Sequence, residues 1–246
     1  VSRLVSDIVL SLTGRRIAVM CGGPSLTSAL SIIDSCDARV SANDHGCRLR
    51  QCDYIVACDA VHTVDKTPME PRLRAYNVPI VSPMLYADWR LNDWEYAGNS
   101  GMAAIYIAWL LGASLIVVAG ADCYTGDTYW HTPGVGASSG HNRLPSDFID
   151  RAGKLRDIMP GAVVRVTDGP LTAVWPAYDP AESLPAYVPS PALLALAVPP
   201  AQRTVRMRET SWLGNNRLLP LHLYTLTVSE AARYVDTGRA TWHTAI

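Results

Sequence analysis

The sequence predicts an α/β protein of the Rossmann-like type, a mostly parallel sheet with helices on both faces, followed by a Pro-rich C-terminal arm with short β/α elements. Three observations carry that expectation. Short runs rich in Ile and Val recur along the first two thirds of the chain at 17–21, 38–42, 54–58, 79–82, 115–119 and 163–166, as strands buried on both faces do. Helical patterns of about ten residues separate several of them, the alternation that builds a doubly covered parallel sheet. The first run ends in Gly22-Gly23-Pro24-Ser25, a strand-to-helix turn.

Taken in order, residues 1–12 place Leu4, Val5, Ile8, Val9 and Leu12 on one helical face, which predicts a first helix beside the sheet. The strand 17–21 then enters the Gly-Gly-Pro turn, and Ser25 is the predicted cap of a helix over TSALSII. Such a turn presents backbone N–H groups and the positive end of a helix, a seat for a phosphate. Met102 to Cys123 is the longest apolar stretch, but Gly112, Ser114 and Gly120 interrupt it, so it reads as a helix followed by a strand and not as a membrane span.

In open parallel sheets, ligands bind beyond the carboxyl ends of the strands. Applied here, the rule gathers Gly22 to Ser25, Asn43 to Gly46, Asp59, and Asp122 to Tyr124 around one crevice. A polar loop residue or a helix cap is the ordinary role for each taken singly.

The 246 residues are 49% hydrophobic and 17% charged, enough for a substantial core. A net charge of −1 gives no electrostatic case for nucleic acid or an anionic membrane. The N-terminus lacks a basic-then-apolar export pattern, so a cytoplasmic setting is expected, or a virion if the gene is carried by a phage. The six cysteines contain no Cys-x-x-Cys pair and no His at finger spacing; reduced thiols and no metal site are expected. Asp122 and Asp127 on one loop are a poor metal pair.

After about residue 175 the composition changes. Seven prolines fall between 176 and 200, predicting an extended linker over 176–202 between a nucleotide-binding domain at 1–175 and a small β/α arm at 203–246. In the arm, 204–210 and 221–228 read as strands flanking a Gly-Asn-Asn turn, and Ser229 as the cap of a short helix stopped at Gly238. About 45 residues are few for an independent core, so residues 186–246 are candidates for contact with another chain or a second copy.

GGPSL at 22–26, Ser100-Gly101 opening a helix, and Gly120-Ala121-Asp122-Cys123-Tyr124 together resemble the small bacterial sialyltransferases and the related Rossmann-like group that includes the archaeal hydroxymethylpterin diphosphokinase-like enzymes. The resemblance covers about residues 17–160. It implies that Gly22, Gly23, Pro24, Ser25, Asn43, Ser100, Gly101 and Asp122 surround a nucleotide, with a CMP-linked sugar as donor. It further implies that Tyr124 with Tyr129 or Trp130 contacts the leaving phosphate, and that His141 is the general base, with His131 its rival. A near-neutral His can take a proton from an acceptor hydroxyl while phenol O–H groups stabilise a departing phosphate without a metal. Gly22 stands where the sialyltransferases carry an Asn. The loop 125–141, with four glycines and an aromatic cluster, fits a lid over a ligand.

Two functions compete at this point. One is a metal-independent, sialyltransferase-like glycosyltransferase. The other is a structural or assembly protein, such as a phage virion component, that keeps the fold as scaffold and uses the arm, with Trp212, Tyr224, Tyr234 and Trp242, to hold partners. A pterin or nucleotide diphosphokinase shares the fold but needs a clearer metal and basic phosphate site.

Overall fold

The computed structural model describes residues 3–62, 67–91, 99–123, 145–181 and 187–196, and, within the arm, the strands between 202 and 242. Eight strands form one all-parallel sheet: β1 (Arg3–Leu4), β2 (Arg16–Met20), β3 (Ala38–Ala42), β4 (Tyr54–Val56), β5 (Ile80–Ser82), β6 (Trp89–Arg90), β7 (Leu115–Ala119) and β8 (Val163–Arg165). Their spatial order is β1-β6-β5-β4-β3-β2-β7-β8. From β2 the chain steps outward as far as β6, then returns across the sheet to place β7 on the other side of β2. The strand order therefore reverses between β2 and β7, and the crevice rule points at that boundary.

Alternation along β2 divides its side chains between two layers. Ile17 and Val19 join one apolar cluster, Ala18 and Met20 another. On the first face lies α3 (Ser100–Leu110), with α4 (Pro145–Ile158) packed beside it through Phe148, Ala152 and Leu155. Every residue of α3 from Met102 to Leu110 is buried, as befits a helix apolar on all sides. The opposite face is covered by α1 (Leu30–Asp34), through Ile33, and by α2 (Met69–Arg74), through Met69 and Leu73. Helices on both faces of a parallel sheet make this a Rossmann-like α/β fold.

The N-terminus differs from expectation. Instead of a helix over 1–12, Arg3–Leu4 pairs as the edge strand β1 and Val5–Ile8 is one 3₁₀ turn. The reason lies in the backbone: Leu10, Leu12 and Gly14 donate to Leu110, Leu111 and Gly112 at 2.8 Å each, and Leu10 takes φ 63°. These donors satisfy the carboxyl end of α3 instead of bonding within a helix of their own.

The Pro-rich stretch also differs from an extended linker. Pro176 and Ala177 run beside β8, with the Arg165 N–H donating to Pro176 O at 3.0 Å, and the Tyr178 ring lies 5.6 Å from the Arg16 guanidinium. Farther on, α5 (Pro191–Leu196) forms, and Tyr187 and Leu193 pack into the main core. Pro191 suits the first helical position because its missing N–H needs no partner there, and the Ser190 hydroxyl accepts from Leu193 N at 3.2 Å as a cap.

In the arm, β9 (Gln202–Met207) is flanked by β12 (Leu223–Thr227) and β13 (Ala240–Trp242), both antiparallel to it. β10 (Ser211–Leu213) and β11 (Asn216–Leu218) make a separate hairpin in which Leu213 faces Asn216 across two residues. The short helix expected after Ser229 lies outside the described residues. Among the described residues no helix is long and apolar enough to cross a membrane.

Candidate functional site

The turns after β2 and β7 are docked on each other at the point where the strand order reverses. Cys21 N donates to Ala119 O and Gly23 N to Gly120 O, both at 2.8 Å. Gly23 has φ −70°, a conformation open to any residue, so its requirement is steric: a Cβ there would lie 2.2 Å from Asp122 Oδ2 and 2.7 Å from Gly120 O. Gly120, at φ +71°, is required on both counts, since a Cβ would also meet Cys21 O at 2.8 Å.

Ser25 is not the helix cap the sequence suggested. The 3₁₀ segment Pro24–Ala29 starts with Pro24 at its first position, which moves the cap to Gly23 and leaves Ser25 one residue inside. Both polar groups of Ser25 turn to the other loop instead: its N–H donates to Asp122 Oδ2 at 2.9 Å and its hydroxyl donates to Asp122 Oδ1. Thr167, just past β8, donates to Ser25 Oγ at 3.1 Å. A carboxylate of the protein thus holds the amide that the sequence reading assigned to a phosphate. Three strand ends meet in this network, and Thr167 carried no motif that would have found it.

Next to it lie two buried thiols. Burial, followed by the neighbouring Cys123 and Asp122, pushes the Cys21 thiol up to about 12; burial and then Asp122 push Cys123 to about 12. Cys123 sits in the left-handed region at φ 51°. Gly101 brings the start of α3 against this cluster: a Cβ there would sit 3.3 Å from Cys21 Sγ and from Asn99 Oδ1. Asn99 caps α3, accepting from Met102 N at 2.9 Å, and buried Ser100 accepts from Cys58 N at 3.0 Å, tying α3 to the end of β4.

At the end of β3, Asn43 takes φ 53°, and the buried Asp44 follows. Arg48 reaches Asp44 Oδ2 through Nη2 at 2.6 Å and Nε at 2.8 Å, and Arg72 on α2 reaches the same oxygen at 2.9 Å. Burial pushes the Asp44 carboxyl up, but the Arg72 and Arg48 donors, with His45 beside them, outweigh it and hold the group below the usual carboxylate range. Among the described residues, buried Asn43 Oδ1, Asp44 Oδ1 and Asn99 Nδ2 meet no hydrogen-bond partner. All three lie at the carboxyl edge of the sheet, where a bound group with its own donors and acceptors would satisfy them. The turn chemistry marked Asn43; the role of Arg72, on a helix 28 residues away from Asp44, had no local signal.

Gly22, Gly23, Pro24, Ser25, Asn43, Ser100, Gly101 and Asp122 therefore occupy the ends of β2, β3 and β7 and the start of α3. Tyr124, Tyr129, Trp130, His131 and His141 lie outside the described residues. No group of three or more potential metal ligands occurs among the described residues. A separate groove of about 650 Å³ opens between α2 and the β5–β6 connection, but its main charges are already paired, Arg74 Nη1 lying 2.8 Å from both oxygens of Asp88.

No family model matches the chain, and no curated protein matches it. Among solved structures the chain is similar to the MAf glycosyltransferase from Magnetospirillum magneticum AMB-1, with a TM-score of 0.43 and 12% identity over 79% of this chain. The chain spans 40% of the length of that protein.

Proposed function

We propose that the crevice between β2 and β7 binds the nucleotide part of an activated sugar, and that the protein is a glycosyltransferase-like enzyme. The observation that supports this reading most is the docking of the turns 22–26 and 120–123 at the reversal of strand order, where open α/β sheets take their ligands. In this reading a CMP-linked sugar is the donor, Tyr124 with Tyr129 or Trp130 faces the leaving phosphate, and His141 or His131 takes the acceptor's proton. No metal is required.

The carboxylate of Asp122 on the Ser25 amide favours a second reading, in which the turn is locked for stability and the protein is an assembly component, cytoplasmic or in a virion, held to neighbours or to a second copy by residues 186–246. Thermal-shift measurements with CMP, CDP, UDP, GDP and their sugar conjugates, with and without magnesium, separate the two. Ligand at a hundredfold excess over Kd raises stability by about 2.7 kcal/mol. A magnesium-independent shift with a cytidine nucleotide that Tyr124→Phe weakens supports the transferase; no shift with any nucleotide supports the scaffold.

A further inference from the structure

The turn after β3 carries two buried acceptors that meet no donor among the described residues, Asn43 Oδ1 and Asp44 Oδ1. The turn itself is held firmly. Asn43 N donates to Val56 O, Gly46 N to Ser41 Oγ and the Ser41 hydroxyl to Asn43 O, each at 2.8 Å. Gly46 lies so closely under β2 that a Cβ would sit 2.6 Å from Met20 Cε. A backbone fixed in this way cannot carry the two side chains elsewhere to find donors, and a buried acceptor left unfilled is costly.

The Asp44 carboxylate is loaded on one side only. Oδ2 accepts from Arg48 Nε at 2.8 Å, Arg48 Nη2 at 2.6 Å and Arg72 Nε at 2.9 Å, while Oδ1 meets no donor among the described residues. The two guanidiniums hold the carboxylate in place and leave Oδ1 as a charged acceptor. Ion pairing accounts for Oδ2 and not for Oδ1. Asn43 adds the second acceptor from the preceding position, where φ 53° ends the strand alternation that sends consecutive side chains to opposite faces.

Two acceptors offer a phosphate oxygen no hydrogen and call for a group that brings two donors. A vicinal diol or an amine meets that need, and the position in the fold selects the diol. β3 pairs with β2 and is the next strand in the chain, and Asp44 follows the Gly22-Gly23 turn by about twenty residues. In dinucleotide-binding sheets an acid at that place takes a ribose hydroxyl. A donor for a hydroxyl oxygen is present at the same strand end: unmatched Asn99 Nδ2 belongs to the turn whose Ser100 Oγ accepts from Cys58 N, just past β4.

We propose that Asn43 and Asp44 bind the ribose 2′,3′-diol of the ligand, so that the crevice takes ribonucleotides and rejects deoxyribonucleotides. The proposal rests on the nucleotide reading given above. It assigns Asp44 Oδ1 to one hydroxyl and Asn43 Oδ1 to the other.

The test is calorimetric titration of the full chain with CMP, CDP, UDP and GDP, each beside its 2′-deoxy, 3′-deoxy and 2′-fluoro-2′-deoxy counterparts. At least one ribonucleotide is expected to bind, and each of its analogues to bind at least about tenfold more weakly. The fluoro analogue belongs with the deoxy ones because fluorine cannot donate a hydrogen. Asn43→Gly keeps the left-handed backbone and deletes one acceptor, and Asp44→Asn removes the charge of the other. Each is expected to weaken the ribonucleotide and to narrow its advantage over a deoxy analogue. Analogues that bind within about twofold of the ribonucleotide overturn this proposal alone, leaving the nucleotide reading intact and a resident water as the partner of the two acceptors. No binding by any of the four ribonucleotides overturns both. The wild-type series decides the matter even if a variant fails to fold.

Discussion

Gly23→Ala tests the docking of the two turns most directly. At φ −70° the backbone accepts alanine without strain, so any cost comes from the new methyl group. That methyl would lie 2.2 Å from Asp122 Oδ2, 2.6 Å from Asp122 Cγ and 2.7 Å from Gly120 O. The carboxylate is the part that can move, and moving it breaks both of its hydrogen bonds to Ser25. Overpacking of this kind costs about 1–3 kcal/mol, and a lost charge-assisted hydrogen bond about 1.5–3 kcal/mol. Because Ser25 and Asp122 are only half-buried, water replaces part of each lost bond, and we discount the combined range of about 4–9 kcal/mol to about 3 kcal/mol. For a chain of this size that corresponds to a fall in Tm of about 6–12 °C by calorimetry. In a double-mutant cycle with Asp122→Ala, the two costs should fall short of additivity by about 1–2 kcal/mol. A Tm within about 1 °C of wild type, or an additive cycle, would refute the steric argument.

If a nucleotide phosphate shares the turn with Asp122, removing the carboxylate charge by Asp122→Asn should tighten nucleotide binding by about tenfold in calorimetric titration, equivalent to about 1.4 kcal/mol; an unchanged or weaker Kd places the phosphate elsewhere. Asp44→Ala strands two guanidiniums and should cost about 3 kcal/mol in urea denaturation at pH 7. Since the folded state holds the Asp44 carboxyl below its unfolded value near 3.9, its contribution is present above about pH 4 and is lost as the pH falls below that, so wild type and variant should converge in acid. The raised Cys21, Cys36 and Cys123 thiols, at about 12, 11 and 12, act at the other end: their contribution is complete below about pH 9 and is lost as pH rises toward 11–12, and Cys21→Ala should flatten that alkaline decline. Leu193→Ala, removing a buried side chain that pins residues 187–196 to the main core, should cost about 2–4 kcal/mol.

The six runs of buried strand residues were legible because both faces of the sheet are covered, which leaves Ile17–Met20 or Leu115–Ala119 apolar without interruption. β1 and β6, two residues each, were not, because an edge pairing that short leaves no periodic trace. Of the apolar face read over residues 4–12, Val5, Ile8, Val9 and Leu12 do pack on the core, but the backbone partners came from the far end of α3. At the site, Gly23, Ser25 and Asp122 were found by their position at strand ends. Their mutual contact spans 97 residues of sequence, so the sequence could mark the residues without showing that the carboxylate and the amide bind each other.

The central position of β2 also sets the order in which this chain can become stable. Its first neighbour, β3, follows closely, but its other neighbour, β7, is made roughly a hundred residues later, a delay of about 5–20 s at ordinary rates of synthesis. In that interval the flank of β2 that β7 will pair with stands open, and α3, which emerges only a few residues before β7, rests on β2, β3 and β4 alone. The nascent chain therefore passes through a stage in which its central strand lacks one of its two partners. Expression yield should depend on chaperone supply and growth temperature more than the stability of the finished protein would suggest.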